Sequence, residues 1–120
     1  MRKHQRLGLR KNFKKEIGII GVGYVGLPLA VNLSKFFNVT AFDKDKNRVI
    51  ELNKGQDQNN EHSRKELKKK KLLFTNEYRK LKNCNIFIIT LPTPLNKKKL
   101  PDISLVINAT KDLAKIIKKE

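Results

Sequence analysis

The stretch Glu16-Ile-Gly-Ile-Ile-Gly21-Val-Gly-Tyr-Val-Gly26 decides the fold of this 120-residue chain. The apolar run that ends at Ile20 predicts a buried strand, and three glycines follow it with the spacing G-x-G-x-x-G. The first glycine permits a tight turn, the second lets the backbone approach a pyrophosphate, and the third lets a helix pack closely on the strand. The apolar sequence from Leu27 to Leu33 predicts that helix, whose N-terminus would attract a phosphate group.

An acidic residue follows this motif at a distance that supports dinucleotide binding. The residues from Asn38 to Phe42 predict a second strand, and Asp43 comes 20 positions after Gly23. A carboxylate at that place holds a ribose 2′-hydroxyl and would repel a 2′-phosphate, so NAD is favoured over NADP. The nearby cations Lys44, Lys46 and Arg48 weaken that preference without cancelling it. As an alternative, Asp43 caps the helix that starts near Lys46.

The rest of the sequence alternates between predicted strands and helices. Continuous apolarity predicts that the fourth strand is buried on both faces, and Leu29, Leu33 and Phe36 are expected to cover the sheet from one face of the first helix. The alternation indicates parallel strands in the order 3-2-1-4. The fold class is therefore α/β, a Rossmann-type doubly wound parallel sheet that is incomplete, with about four strands. The predicted strands are 15–21, 38–43, 72–75 and 85–91, and the predicted helices are 25–37, 46–54, 63–71, 77–82 and 103–119, the last capped by Asp102.

Several motifs together resemble the N-terminal region of the UDP-glucose/GDP-mannose 6-dehydrogenase family, from about Lys15 to the end of the chain. They are Gly21-Val-Gly-Tyr-Val-Gly-Leu-Pro-Leu-Ala30, Phe42-Asp43 with Arg48, Ile88-Ile-Thr-Leu-Pro-Thr-Pro94, and Pro101-Asp102. The stretch from Gly55 to Leu67 is more similar to the UDP-N-acetylhexosamine branch (the Vi-polysaccharide type), because the UDP-glucose branch usually has a Glu-Pro-Gly element there.

The resemblance implies an enzyme activity of which this chain would hold one part. The family oxidises the C6 alcohol of a nucleotide sugar, here a UDP-N-acetylhexosamine or UDP-glucose, to a uronate for polysaccharide biosynthesis, with NAD as the oxidant. Residues 15–120 would be the N-terminal NAD-binding Rossmann domain, truncated before the catalytic and UDP-sugar-binding regions. Full-length members oligomerise and use a catalytic cysteine, whose motif Cys84 does not match. We therefore expect this chain alone to be inactive.

The expected cofactor site lies where two loops meet at the carboxyl ends of strands 1 and 4, since ligands of doubly wound sheets bind at that switch in strand order. The resemblance places Arg48 alongside the adenosine and the stretch from Thr90 to Pro94 on the nicotinamide side. We expect no catalytic residue and no metal ligand in this chain. The expected NAD-binding residues are Gly21, Val22, Gly23, Tyr24, Val25, Gly26, Asp43, Arg48, Thr90, Leu91 and Thr93.

Composition limits the other classes of function. The net charge of +17 is compatible with a basic nucleic-acid-binding domain, but the lysines are spread along the chain without interleaved aromatic residues. We prefer solvated lysines and no specific nucleic-acid partner. Residues 1–14 are predicted to be a basic flexible leader, and the sequence shows no apolar run long enough to span a membrane. The single cysteine suits a reducing cytoplasm. A non-catalytic dinucleotide-binding fragment or gene remnant is the alternative to a dehydrogenase part.

Overall fold

The computed structural model describes residues 14–117, so the predicted leader lies outside the described residues except for Lys14. The elements follow the predicted order, although several are shorter than expected. The strands are β1 (Glu16–Ile20), β2 (Asn38–Phe42), β3 (Leu72–Thr75) and β4 (Ile86–Ile89). The α-helices are α1 (Gly26–Leu33), α2 (Lys46–Asn53), α3 (Arg64–Leu67) and α4 (Ser104–Ala114), and a 3-10 helix covers Tyr78–Leu81.

The four strands form one parallel sheet in the order β3-β2-β1-β4, as the alternation predicts. In this register Ile17 lies between Val39 of β2 and Ile86 of β4. All four strands run in the same direction, so the loops that follow β1, β2 and β4 lie along one edge of the sheet. That edge is where a doubly wound sheet binds its ligands.

Apolar side chains cover both faces of the sheet, because successive residues of a strand point to opposite sides. Ile19 of β1 packs in one cluster with residues of α1 and α2, whereas the adjacent Ile20 packs in a second cluster with residues of the 3-10 helix and α4. The sheet is therefore doubly wound. The first cluster includes Ile17, Leu27, Val31, Val39, Leu52 and Phe74, and the second includes Phe42, Leu81, Ala109 and Leu113.

The prediction that the fourth strand is buried on both faces is wrong. In the described part of the chain β4 pairs only with β1 and forms the edge of the sheet. Ile86 is 38% exposed, and the other three residues of β4 are half-buried. A continuous apolar run does not distinguish a central strand from an edge strand when the neighbouring element is not known.

Three details of the helices also differ from the predictions. Phe36 is 73% exposed, because α1 ends at Leu33 and Phe37 packs against the core instead. The helix α3 ends at Leu67 and does not continue through the lysines; Lys68 Nζ instead donates to the carbonyl oxygen of Asn53 at 2.9 Å. Ile103 occupies the N-cap position of α4, although Asp102 Oδ1 accepts from the Ser104 N–H at 2.9 Å.

Two local signals in the sequence gave the correct structure. Ser63 with Glu66 three residues later has the sequence spacing of a capping box, and these two residues form one at the start of α3. Gly55 follows α2 with a φ of +77°, a conformation that glycine adopts readily. Within residues 14–117, no helix is both long and apolar enough to cross a membrane.

Candidate dinucleotide-binding site

The turn between β1 and α1 requires glycine at two of its three motif positions. Gly21 has a φ of +102°, and its N–H donates to the carbonyl oxygen of Phe42 at 2.8 Å. A Cβ atom on Gly26 would overlap the carbonyl oxygen of Gly21 and lie 2.5 Å from Thr90 Oγ1. A Cβ atom on Gly23 would meet no atom within 4 Å. The first and third glycines therefore shape the turn, while the second leaves open space in front of it.

Backbone donors are exposed at this turn. In the described structure, the N–H groups of Gly23, Tyr24 and Val25 donate to no protein acceptor. Val25 is the N-cap of α1 and provides no side-chain cap, and no acidic side chain lies in the first turn of the helix. Unpaired N–H groups and the positive end of the helix dipole together favour an anion such as a phosphate.

Asp43 lies beside this turn and holds it. Its Oδ2 atom accepts from the Val22 N–H at 3.0 Å, and its Oδ1 atom accepts from the Asp45 N–H at 2.9 Å. Each carboxylate oxygen has two lone pairs, so both can accept a further hydrogen bond. The carboxylate is half-buried and lines the crevice in front of the turn.

The alternative that Asp43 caps the following helix is wrong. Asp45 is the N-cap of α2, and its Oδ1 atom accepts from the N–H groups of Asn47 at 3.0 Å and Arg48 at 3.2 Å. Two aspartates separated by one residue therefore have different tasks. Asp45 satisfies the helix, and Asp43 faces the turn after β1.

The structure places Arg48 behind the turn. Its guanidinium donates to the carbonyl oxygen of Val22 from Nε at 3.3 Å and from Nη2 at 3.2 Å. It also forms ion pairs with Glu51 at 3.0 Å and with Asp57 at 3.3 Å. Sequence reasoning singled out Arg48 but missed Asp57, because no local pattern indicates that a loop carboxylate nine positions later returns to it.

The loop after β4 forms the opposite wall of the crevice. Thr90 Oγ1 donates to the carbonyl oxygens of Gly21 at 2.8 Å and Ile20 at 3.2 Å, so its hydroxyl ties the two walls together. Leu91 and Thr93 also line the crevice, and Thr93 is exposed. The crevice has a volume of about 590 Å³ and is lined by Gly21, Gly23, Tyr24, Val25, Asp43, Thr90, Leu91, Pro92 and Thr93.

A smaller, mostly apolar pocket of about 190 Å³ adjoins the crevice, and Asp43 and Leu91 line both. Its wall includes Tyr78, whose ring stacks on Phe42 with the ring centres 4.0 Å apart. The Tyr78 hydroxyl oxygen is buried and has no hydrogen-bond partner among the described residues. Burial, followed by the nearby Asp112 carboxylate, raises the pKa of Tyr78. Sequence reasoning missed Tyr78, since its position depends on how the 3-10 helix packs on the sheet.

Neither nucleophilic nor metal chemistry is evident in the described residues. Cys84 is half-buried, and burial raises the pKa of its thiol, which disfavours the reactive thiolate. Within residues 14–117, no group of three or more His, Cys, Asp and Glu side chains could hold a metal ion.

The arrangement fits a dinucleotide in three respects. Unpaired N–H groups and the open space before Gly23 suit a pyrophosphate, and a carboxylate suits a ribose hydroxyl. The mostly apolar pocket next to that carboxylate suits an aromatic base. The turn, the carboxylate and the apolar pocket follow one another in the same order as the pyrophosphate, the ribose and the base of a dinucleotide.

Comparison with known proteins agrees with this geometry. Residues 15–120 match the model of the UDP-glucose/GDP-mannose dehydrogenase family, NAD binding domain. The chain is 46% identical over 103 residues to a UDP-N-acetyl-D-glucosamine 6-dehydrogenase from Salmonella typhi, covering 85% of this chain and 24% of that protein. It is 40% identical over 105 residues to a UDP-N-acetyl-D-glucosamine 6-dehydrogenase from Pseudomonas aeruginosa, covering 87% of this chain and 25% of the relative.

A solved structure gives the same result for the fold. The UDP-D-ManNAc dehydrogenase from Pyrococcus horikoshii superposes with a TM-score of 0.80 at 28% identity, over 87% of this chain and 26% of that one. The chain thus spans about a quarter of the length of these three relatives. The family predicted from the motifs is confirmed: the chain belongs to the UDP-glucose/GDP-mannose dehydrogenase family and corresponds to its NAD-binding domain.

Proposed function

We propose that this chain binds NAD in the crevice between the turn after β1 and the loop after β4. The observation that carries the proposal is the set of free N–H groups at Gly23, Tyr24 and Val25, beside a carboxylate that can still accept hydrogen bonds. The pyrophosphate would accept hydrogen bonds from those N–H groups. The family match over residues 15–120 supports NAD as the ligand.

Asp43 is the residue that would select NAD over NADP. Its carboxylate would accept a hydrogen bond from the hydroxyls of the adenosine ribose, and its negative charge would repel a 2′-phosphate. The adenine would then enter the apolar pocket beside Phe42 and Tyr78. The nicotinamide end would lie toward Thr90, Leu91 and Thr93, on the other wall of the crevice.

We further propose that the chain is the NAD-binding part of an enzyme that oxidises the C6 alcohol of a UDP-N-acetylhexosamine to a uronate. The two relatives at 46% and 40% identity are UDP-N-acetyl-D-glucosamine 6-dehydrogenases. Oxidation of an alcohol to a carboxylate removes two hydrides in succession and takes one oxygen atom from water, so it consumes two NAD molecules, one in each step. This chain would bind and orient the cofactor, while the UDP-sugar and the oxidised carbon would be held by the remaining three quarters of such a protein.

Titration with nicotinamide cofactors tests the proposal directly. NAD is titrated into the purified chain by calorimetry, and a melt with NAD at a hundredfold excess over Kd should show about 2.7 kcal/mol of added stability. Asp43→Ala should weaken NAD binding and leave NADP binding unchanged or stronger. A wild-type chain that binds neither cofactor would refute the proposal, and equal NAD affinity in Asp43→Ala would refute the role of Asp43.

A further inference from the structure

Asp57 is a buried carboxylate in the loop between α2 and α3. The residue is 7% exposed, and its Oδ2 atom accepts from the N–H groups of Glu61 at 3.0 Å and His62 at 3.2 Å. Its Oδ1 atom accepts from the Asn59 N–H at 3.2 Å, and the His62 ring lies 3.3 Å from Oδ2. Asp57 therefore fixes the conformation of its own loop and retains its charge in a buried place.

The guanidinium of Arg48 connects this carboxylate to the turn after β1. One nitrogen, Nη1, pairs with Asp57 Oδ1 at 3.3 Å and with Glu51 Oε2 at 3.0 Å, while Nε and Nη2 donate to the carbonyl oxygen of Val22. The Arg48 side chain is only 12% exposed, so solvent screens these contacts weakly. A planar guanidinium held on both sides has little freedom to rotate.

The direction of the Val22 carbonyl determines the direction of the next N–H group. A trans peptide is planar, with its N–H pointing opposite to its C=O. Arg48 holds the Val22 carbonyl on the side away from the crevice, so the Gly23 N–H points toward the crevice, where it has no protein acceptor. A charged donor on the carbonyl also polarises the peptide and strengthens its N–H as a donor.

We propose that Asp57 is a positioning residue for cofactor binding, which acts through Arg48 on the Val22 carbonyl and thereby aims the Gly23 N–H at the pyrophosphate. The inference rests on the proposed function, because it needs a dinucleotide in the crevice. It assigns to the loop between α2 and α3 a part in binding, although that loop contributes no residue to the wall of the crevice.

Asp57 could instead hold only its own loop, and a double-mutant cycle distinguishes the two roles. NAD affinity is measured by calorimetry for Asp57→Asn, Arg48→Gln and the double variant. If only a tenth of the Asp57→Asn molecules keep the turn in the conformation that binds the pyrophosphate, the Kd for NAD rises about tenfold. The Asp57→Asn change should add nothing further in the Arg48→Gln background, because its effect passes through Arg48. If Asp57→Asn lowers NAD affinity by the same factor in the wild-type chain and in Arg48→Gln, the proposal is overturned.

Two further arms make the test specific. ADP-ribose should lose as much affinity as NAD on Asp57→Asn, whereas adenosine, which has no phosphate, should lose none. His62→Gln is the matched control, since His62 contacts the far oxygen of Asp57 and not Arg48; its Kd for NAD should stay at the wild-type value. An equal loss for adenosine, or a loss of the same size in His62→Gln, would indicate a general disturbance of the loop and overturn the proposal.

The outcomes separate the two proposals. A wild-type chain that binds no NAD contradicts the proposed function itself, whereas a wild-type chain that binds NAD with the same Kd as Asp57→Asn contradicts only the role of Asp57. If Asp57→Asn melts below the temperature of the assay, the cycle is run with Asp57→Glu, which keeps the charge and displaces the carboxylate. NAD affinity equal to wild type in Asp57→Glu would then overturn the inference.

Discussion

The carboxylate of Asp43 and the backbone N–H of Val22 form a hydrogen bond of 3.0 Å that joins the end of β2 to the turn after β1. The same carboxylate accepts from the Asp45 N–H at 2.9 Å. The group proposed to hold the ribose therefore also orders the two segments that would surround it. Under the proposed function, binding selectivity and local stability would depend on this one side chain, and a substitution there should change both.

Asp43→Ala and Asp45→Ala separate these two effects. Asp43→Ala leaves the part-buried Val22 N–H without its acceptor and should lower the free energy of unfolding by about 1–3 kcal/mol, while water can replace the acceptor of the exposed Asp45 N–H. Asp45→Ala removes the N-cap of α2 and should cost about 0.5–2 kcal/mol. Urea denaturation measures both, and only Asp43→Ala should change the ratio of NAD to NADP affinity. A changed ratio in Asp45→Ala would contradict this assignment.

Alanine at the second and third glycines should have opposite effects. Gly26→Ala places a Cβ atom on the Gly21 carbonyl oxygen and should lower stability by at least about 1–3 kcal/mol. Gly23→Ala meets no protein atom and should keep or slightly raise stability, since alanine restricts the unfolded chain. Its methyl group would occupy the space proposed for the pyrophosphate, so NAD affinity should fall. Melting curves with and without NAD test both variants. Unchanged NAD affinity in Gly23→Ala would contradict the proposal that the pyrophosphate binds at this turn.

The sequence was sufficient to predict the elements that depend on local chemistry. The glycine spacing, the capping box at Ser63 and the alternation of strands and helices each predicted the observed structure, because each depends on residues close together in the chain. Arg48 with Asp57, and Tyr78 on Phe42, could not be predicted in this way. Those contacts join separate segments, and their existence depends on how the loop after α2 and the 3-10 helix pack against the sheet.

Removing the Tyr78 hydroxyl should stabilise the free protein. The hydroxyl is buried, and no acceptor lies within hydrogen-bond distance in the described structure, although the Asp112 carboxylate is near enough to raise its pKa. A buried hydroxyl without a hydrogen-bond partner is unfavourable by about 1–3 kcal/mol. Tyr78→Phe keeps the ring stacked on Phe42 and should raise the midpoint of urea denaturation. Tyr24→Phe is the matched control, because Tyr24 is 74% exposed. A lower midpoint in Tyr78→Phe would show that the hydroxyl has a partner in solution.

The purified chain should not oxidise a UDP-sugar. With NAD and UDP-N-acetylglucosamine, we expect no increase in absorbance at the wavelength of NADH. The chain has one cysteine, Cys84, and burial raises the pKa of its thiol, which disfavours the thiolate needed for a covalent intermediate. Measurable NADH that disappears in Cys84→Ser would contradict the prediction and make Cys84 a nucleophile.

The buried carboxylate of Asp57 should make stability depend on acid pH. Burial opposes its ionisation, but hydrogen bonds from the N–H groups of Asn59 and Glu61, with those from His62 and Arg48, outweigh burial and hold the pKa of Asp57 below its ordinary 3.8. The unfolded chain therefore takes up this proton at a higher pH than the folded chain does. The stabilisation is fully present above 3.8 and is lost as the pH falls through the lower pKa of the folded state.

Asp57→Asn removes this titration. The free energy of unfolding of the variant should therefore fall less than that of the wild type as the pH is lowered below 3.8. The free energies of unfolding, measured by urea denaturation between neutral and acid pH, should converge at the acid end. Glu61→Gln serves as the control, because the Glu61 side chain is exposed and only its backbone N–H contacts Asp57. If the wild-type and Asp57→Asn curves stay parallel throughout, Asp57 is not the buried charge that the folded chain stabilises.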